Sequence, residues 1–200
     1  MIIVGLDLSM TSSGYAVLDS GKLIDFGVIK STKEVAQFTC LDYEYIDRAK
    51  LVAQECKKKV DLFSPDLIMI EQTNKGRNRN SQKKLEFVHF AVLTAIESYK
   101  DVISYVDTSF WRATLKIVST KEDSKHNKLV NAKKAEGKIT PKHRAVRWVN
   151  KTYDLSLKLK DNDIADAIAV AYFAWKRHNT VNDVNALSDI DTFFDRDSDG

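Results

Sequence analysis

The chain has 200 residues, enough for one domain with a real core and too few for two large ones. An apolar fraction of 44%, with only seven glycines and two prolines, excludes fibrous and disordered classes. Net charge is +3, but six aspartates and one arginine follow Val181, so residues 1–180 hold 30 basic and 22 acidic side chains. Such a basic body fits a polyanionic partner. Cys40 and Cys56 have no metal-binding or redox spacing and read as buried free thiols of a reducing compartment. No apolar run reaches membrane-spanning length, and no basic segment precedes the short apolar N-terminus. A cytoplasmic protein with no membrane partner is expected.

Residues 2–8, IIVGLDL, are almost all apolar, as in a strand buried on both faces. Thr11 to Gly14 read as a turn, Tyr15 to Leu18 as a strand, Asp19-Ser20-Gly21 as another turn, and residues 22–30 as a third strand. Together they predict an antiparallel meander. Leu41 to Phe63 has helical periodicity that Pro65 ends, and PDLIMIEQ (65–72) predicts a second buried strand, parallel to the first after a helical crossover. Asn74 to Gln82 is polar and basic, a surface loop. Leu85 to Tyr99 reads as a second helix and residues 101–109 as a strand. The helix is apolar over much of its circumference, which fits either a dimer contact or deep burial.

Ser119 to Thr140 carries Lys121, Lys125, Lys128, Lys133, Lys134 and Lys138 and reads as a long functional or mobile loop. Thr140 is placed to cap a helix that Pro141 opens and Tyr153 ends. A final helix runs from about Asp163 to Arg177 and ends in basic residues. No repeat is present. These elements predict an α/β domain over residues 1–180, a mixed sheet flanked by helices, with 119–140 as a basic insertion. Residues 181–200 read as a flexible acidic tail with one apolar patch, Phe193-Phe194.

Four acids stand out by position. Asp7 lies in the first apolar strand and Glu71 ends the second, while Asp163 and Asp166 open the last apolar helix. A carboxylate within an apolar strand is costly unless something pairs with it or is coordinated by it. The helix pair is spaced i, i+3, so both acids share one face. Taken singly, each has a plain structural reading: a strand-edge acid, a strand-end acid, a helix N-terminal acid. Asp161 rivals Asp163, but only Asp163 stands three residues from Asp166. In combination they predict a convergent cluster of hard oxygen ligands suited to Mg²⁺ or Mn²⁺. The chemistry expected of such a cluster is two-metal phosphodiester hydrolysis, with ions about 3.5–4 Å apart.

The segments GLDLSMTSSGYAV, IMIEQ and DIADAIAVA resemble the three acidic motifs of RuvC-type Holliday junction resolvases, in the ribonuclease H-like superfamily. The resemblance spans about residues 1–175. It implies a ribonuclease H-like five-stranded mixed sheet and a homodimer that nicks two opposed strands of a four-way DNA junction with two divalent metal ions. It also implies that Asp7, Glu71, Asp163 and Asp166 are the metal-binding catalytic acids. Lys142 in TPKHR matches a basic residue the family places near the scissile phosphate, and Arg112 in FWR matches a second. The family often has an aromatic wedge shortly after the strand-end Glu-Gln, whereas Thr73-Asn74-Lys75-Gly76-Arg77 stands here. The basic loop would then have to open the junction. The insertion and tail also exceed the compact bacterial form and suit a divergent relative, such as one carried by a phage.

Further candidates are Lys75, Arg77 and Arg79 for gripping phosphates, with His143 and Arg144 beside Lys142. His143 is also a candidate auxiliary in proton transfer. Trp111 could stack on bases, and Trp148, at helical spacing, is better read as core. Three rival readings stand beside the resolvase. GLDLSMTSSGYAV also resembles the phosphate loop of actin-like ATPases and sugar kinases, but those need two such domains. A non-catalytic DNA-binding module is a second. The third is a nuclease of the same fold acting on flaps, other branched DNA or RNA–DNA hybrids.

Overall fold

The computed structural model describes residues 1–31, 41–72 and 79–194, with side chains described at 1–31, 43–72 and 79–180. Its strands are β1 (Ile2–Asp7), β2 (Ser12–Asp19), β3 (Lys22–Lys30), β4 (Leu67–Glu71) and β5 (Ile103–Val106). They form one mixed sheet in the order β3-β2-β1-β4-β5. The β1–β2 and β2–β3 pairs are antiparallel, and β1–β4 and β4–β5 are parallel, as the meander and the crossover predict. A tight turn through Ser20 (φ 49°) and Gly21 (φ 83°) joins β2 to β3, the left-handed pair that suits the twist of a hairpin.

Helices cover both faces. On one lie α1 (Leu41–Phe63) and α2 (Arg79–Ala95), and on the other α3 (Thr108–Thr114), α5 (Pro141–Tyr153) and α6 (Asn162–Phe194). Between α3 and α5 the chain forms α4 (Lys121–Asn131). Side chains alternate across a strand, and the two cores obey this alternation. Val4, Leu6, Val17, Ile68 and Ile70 pack with Val52, Val60, Val88 and Val92 under α1 and α2. Ile3, Ala16, Leu18 and Met69 pack with Trp111, Val149, Ile168 and Phe173 on the opposite face. Asp7 is two and four residues from Gly5 and Ile3, and Glu71 is two from Met69, so the same alternation aims both acids at the α6 side.

What brings α6 close enough to meet them is the absence of side chains. Ala165, Ala167, Ala169 and Ala171 are fully buried. A Cβ at Gly5 would lie 2.4 Å from the Ala167 carbonyl oxygen, and one at Gly14 would lie 1.9 Å from that of Asp163. Gly14 is the register partner of Asp7, so the first turn of α6 rests on the strand position beside that acid.

The structure departs from the sequence reading in four places. The lysine-rich stretch 119–140 is not one long loop: Thr120 caps α4, accepting a hydrogen bond from the Asp123 backbone N–H at 3.0 Å, a local signal masked by the polar composition. Residues 108 and 109, expected to end a strand, instead open α3, because Asp107 accepts from the N–H groups of Ser109 and Phe110. Helix α2 starts at Arg79, within the expected loop, and gives way to a 3-10 turn at Glu97–Val102. Finally, α6 does not end near Arg177 but runs to Phe194, so the backbone of 181–194 is helical, and residues 195–200 of the expected acidic tail lie outside the described residues. No glycine or proline interrupts that stretch, and Val181, Val184, Leu187 and Ile190 recur at three-residue spacing. Trp111 is fully buried in the core, so it does not stack on bases. Trp148 is partly buried with its ring edge-on to Tyr172, centroids 5.1 Å apart.

A methyl group at Gly14 would have to displace the backbone of α6. Gly14→Ala is therefore expected to lower stability by about 2 kcal/mol or more, as overpacking against main chain does, seen as a lower midpoint in thermal denaturation. An unchanged midpoint would show that the α6 terminus is free to shift.

Candidate active site

The C-terminal ends of β1 and β4 lie side by side, with Leu6 in register with Ile70, so the residues that follow, Asp7 and Glu71, are neighbours. The first turns of α6 cross them. One carboxylate oxygen from each of Asp7, Glu71 and Asp166 lies within 4.8 Å of the others, a spacing that could hold a metal ion. Asp163 lines the same cleft, of about 350 Å³, together with Arg112, Lys142, Thr108, Asn162 and Ser9. The structure thus brings all four predicted acids to one place, with three in a tight triad and Asp163 at its margin.

Each acid is held by its neighbours. The β1–β2 turn beyond Asp7 is locked by serines: the Ser9 N–H donates to Ser13 Oγ at 2.9 Å, Ser13 Oγ donates to the Ser9 carbonyl at 2.7 Å, and Ser9 Oγ donates to the Ser12 carbonyl at 2.7 Å. Thr108 donates its hydroxyl to Glu71 Oε1. Among the described residues Glu71 Oε2 is buried with no hydrogen-bond partner, an orphaned oxygen of the triad. Arg112 donates through Nη2 to both oxygens of Asp166, at 3.1 and 3.0 Å.

Burial and mutual repulsion make this cluster basic for carboxylates. Burial pushes Asp7 well above its ordinary range, and Glu71, Asp166 and Asp163 push it further against the opposing pull of Lys142. Glu71 is pushed up to about 7, chiefly by burial, with Asp166 adding to it and the Thr108 hydroxyl and Arg112 countering. Burial also raises Asp166, opposed by Arg112 and Lys142. Three hard oxygen donors, one orphaned oxygen and raised proton affinity are the signature of residues that fit a divalent cation.

The other predicted residues fall in different places. Lys142, in the first turn of α5, lines the cleft, as does Arg112 on α3. His143 does not: its Nδ1 accepts from the Thr140 backbone N–H at 3.2 Å, capping α5, and its ring lines a groove with Ile139, Val146 and Leu157. Arg144 is half-buried near Asp123. Arg79 is exposed at the start of α2. Lys75 and Arg77 lie outside the described residues. Sequence reasoning missed Thr108 and the Arg112–Asp166 pair. The Asp-Thr-Ser order at 107–109 is an N-cap signal that would have revealed α3 and its place beside Glu71.

A mixed five-stranded sheet of this order, with acids at the ends of its two central parallel strands, is a ribonuclease H-like fold of the RuvC type. The chain superposes on Thermus thermophilus RuvC with a TM-score of 0.64 at 16% identity, covering 90% of this chain and 97% of that one. It also superposes on T. thermophilus RuvC in complex with a Holliday junction substrate, with a TM-score of 0.63 at 16% identity over 89% and 95% of the two chains. No protein-family model and no curated protein sequence matches the chain.

The raised pKa values give a signed prediction for protein kept in chelator. The folded state binds more protons than the unfolded chain, so stability is fully present at acid pH and is lost as pH rises toward about 7. Denaturation midpoints should fall between pH 5 and pH 8, and Asp7→Asn should raise stability at pH 8. A midpoint that climbs with pH would contradict the buried-acid account.

Proposed function

We propose that this chain is a divalent-metal-dependent, structure-selective DNA endonuclease that resolves four-way junctions by paired nicks. The observation that carries the reading is the convergence of Asp7, Glu71 and Asp166 from three elements to within 4.8 Å, buried and with one oxygen orphaned. Nothing in folding stability rewards such a cluster. Asp7, Glu71, Asp163 and Asp166 would hold two cations, Mg²⁺ or Mn²⁺, whose chemistry when bound is to activate water and to stabilise charge on a phosphodiester.

The remaining cleft residues position and balance charge. Lys142 sets a positive potential at the mouth where a phosphate must enter. Thr108 fixes the Glu71 carboxylate, and Arg112 aims the Asp166 carboxylate and counters the effect of its burial. Lys75, Arg77 and Arg79 follow Glu71 in sequence and would grip the backbone on either side of the cut. Four-way DNA is the substrate favoured by the RuvC-type fold together with the motifs that resemble that family's.

Paired nicks need two copies of the site. The apolar groove between α1 and α2, about 410 Å³ and lined by Ala49, Ala53, Phe87, Phe90 and Ala91, is the surface proposed for a homodimer. Phe90 is 72% exposed there within a contiguous apolar groove, and contiguous apolar patches mark interaction surfaces. Among the described residues no helix is long and apolar enough to cross a membrane.

Four-way, three-way, flap, hybrid and linear substrates with Mg²⁺ form the deciding panel. Symmetrical paired nicks confined to the four-way substrate are expected. Asp7→Asn should reduce cutting by at least 10³-fold, the scale expected when a site loses an essential electrostatic element, while leaving junction binding within a few-fold. Wild-type cutting by that variant, or inactivity of the parent on every substrate with Mg²⁺ and Mn²⁺, would defeat the assignment. Phe90→Asp should yield monomers in light scattering and turn paired cuts into single nicks. A dimer that survives it places the interface elsewhere.

A further inference from the structure

Helix α4 interrupts a stretch whose composition reads as loop, and its two sides are chemically opposite. At 100° per residue, Asp123, His126, Asn127 and Val130 fall on one side and Lys121, Ser124, Lys125 and Lys128 on the other. The inner side is tethered. Asp123 is 2% exposed and accepts from Arg147 of α5 at 2.8 Å. The Asn127 side chain makes two hydrogen bonds to the backbone of Ile139, both 2.8 Å, and His126 Nε2 lies 2.9 Å from the Gly137 carbonyl oxygen. These bonds clamp α4 to the segment that runs directly into α5. Ile139 precedes the cleft residue Lys142 by three positions, at most about 10 Å of chain.

The outer side is free and positive. Lys121, Lys125 and Lys128 line a shallow concavity of about 360 Å³ with Ser119, Thr120 and Ser124, and none of these lining residues is acidic. The four lysines of α1 show what a merely solvated face looks like here. Lys50, Lys57, Lys58 and Lys59 pair with Asp47, Asp61, Glu55 and Asp25. No such pair forms at Lys121, Lys125 or Lys128 among the described residues. Like charges three and four residues apart oppose helix formation by a few tenths of a kcal/mol per pair, so helix stability does not account for the stripe. Its length, about 10 Å from Lys121 to Lys128, spans about three axial rises of one strand at 3.4 Å each, so flexible lysine side chains along it could reach neighbouring phosphates.

We propose that the outer face of α4 is a phosphate-binding ledge for a duplex arm leaving the cleft, with Lys121, Lys125 and Lys128 contacting neighbouring phosphates. The ledge rests on the reading of DNA as substrate and adds where an arm lies. It works through the backbone, so it adds affinity without sequence preference. The clamp through Asp123 and Arg147 makes it a rigid extension of α5 rather than a floating tether.

The test compares the parent with K121Q/K125Q/K128Q, and with K57Q/K58Q as a control on α1, by fluorescence anisotropy on long-armed and short-armed four-way junctions across a salt series. For the long-armed junction the triple variant should lose about 2–3 in the slope of log K against log salt, one phosphate contact being worth about 0.9. Affinity at low salt should fall at least tenfold, and single-turnover cutting at saturating protein should match the parent. The short-armed junction and the α1 control should show parental slopes. A parental slope for the triple variant on long arms overturns the ledge while leaving the nuclease reading intact. A parent protein that binds no junction of either kind overturns the nuclease reading, and the ledge with it.

Discussion

The close approach of α6 to the sheet is the constraint from which the rest follows. Two glycines, Gly5 and Gly14, and a run of buried alanines remove every side chain that would hold the helix away. With the helix that near, the carboxylates at the ends of β1 and β4 cannot avoid Asp166 in the second turn. Bulkier residues would give a more ordinary helix-on-sheet packing about 10 Å apart and acids too far separated to act together. The fold therefore accepts a buried, mutually repelling cluster as the consequence of its tightest contact. Strain of this electrostatic kind persists only where surrounding structure over-determines it, and here the serine-locked β1–β2 turn and the Thr108 hydroxyl do so.

The basic groups of the cleft then have two duties that must be kept apart. Arg112 is bonded to Asp166 through both carboxylate oxygens and stacks over Trp111, 4.8 Å from its ring. It is a fixed counter-charge, anchored by a buried tryptophan. Lys142 opposes the raised proton affinity of Asp7 and Asp166 yet makes no hydrogen bond to either among the described residues. Its ammonium lines the cleft without a carboxylate partner among the described residues. One cation is fixed against the acids and the other is left to the cleft, a division consistent with the planar fork of arginine and the mobile point charge of lysine.

How much of this was legible in the sequence depends on whether a local rule was being broken. Asp7 and Glu71 stood out because a carboxylate in an apolar strand violates patterning, and such violations mark function. Asp166 stood out because apolar residues follow it within its own helix. Arg112 was found only by motif resemblance, and its partner not at all, because an exposed-looking arginine after Phe-Trp breaks no rule. Helix α3 was hidden by the β-rich look of residues 101–109, where three capping bonds at Asp107 outweigh propensity. Helix α4 was hidden by its lysines, since amphipathicity between charged and polar sides produces no apolar stripe to read. His143 had the right neighbours in sequence but sits where helix geometry turns it toward Thr140, a distinction that requires knowing where α5 begins.

On the proposed reading the two faces of the sheet would carry separate tasks, one association and the other cutting. Acids, counter-charges and the clamped helix α4 belong to the side covered by α3, α5 and α6, whereas the apolar groove with Phe90 lies on the outer surface of α1 and α2. Pairing two copies through that groove buries apolar surface, the term that drives association, without covering the cleft in either copy. A groove on the α6 side would have forced a choice between dimerisation and substrate access. The sheet itself, rigid and fully paired between β3 and β5, then fixes the relation between the interface and each cleft. If the chain pairs as proposed, two sites held in fixed relation would be placed to address two strands of one junction.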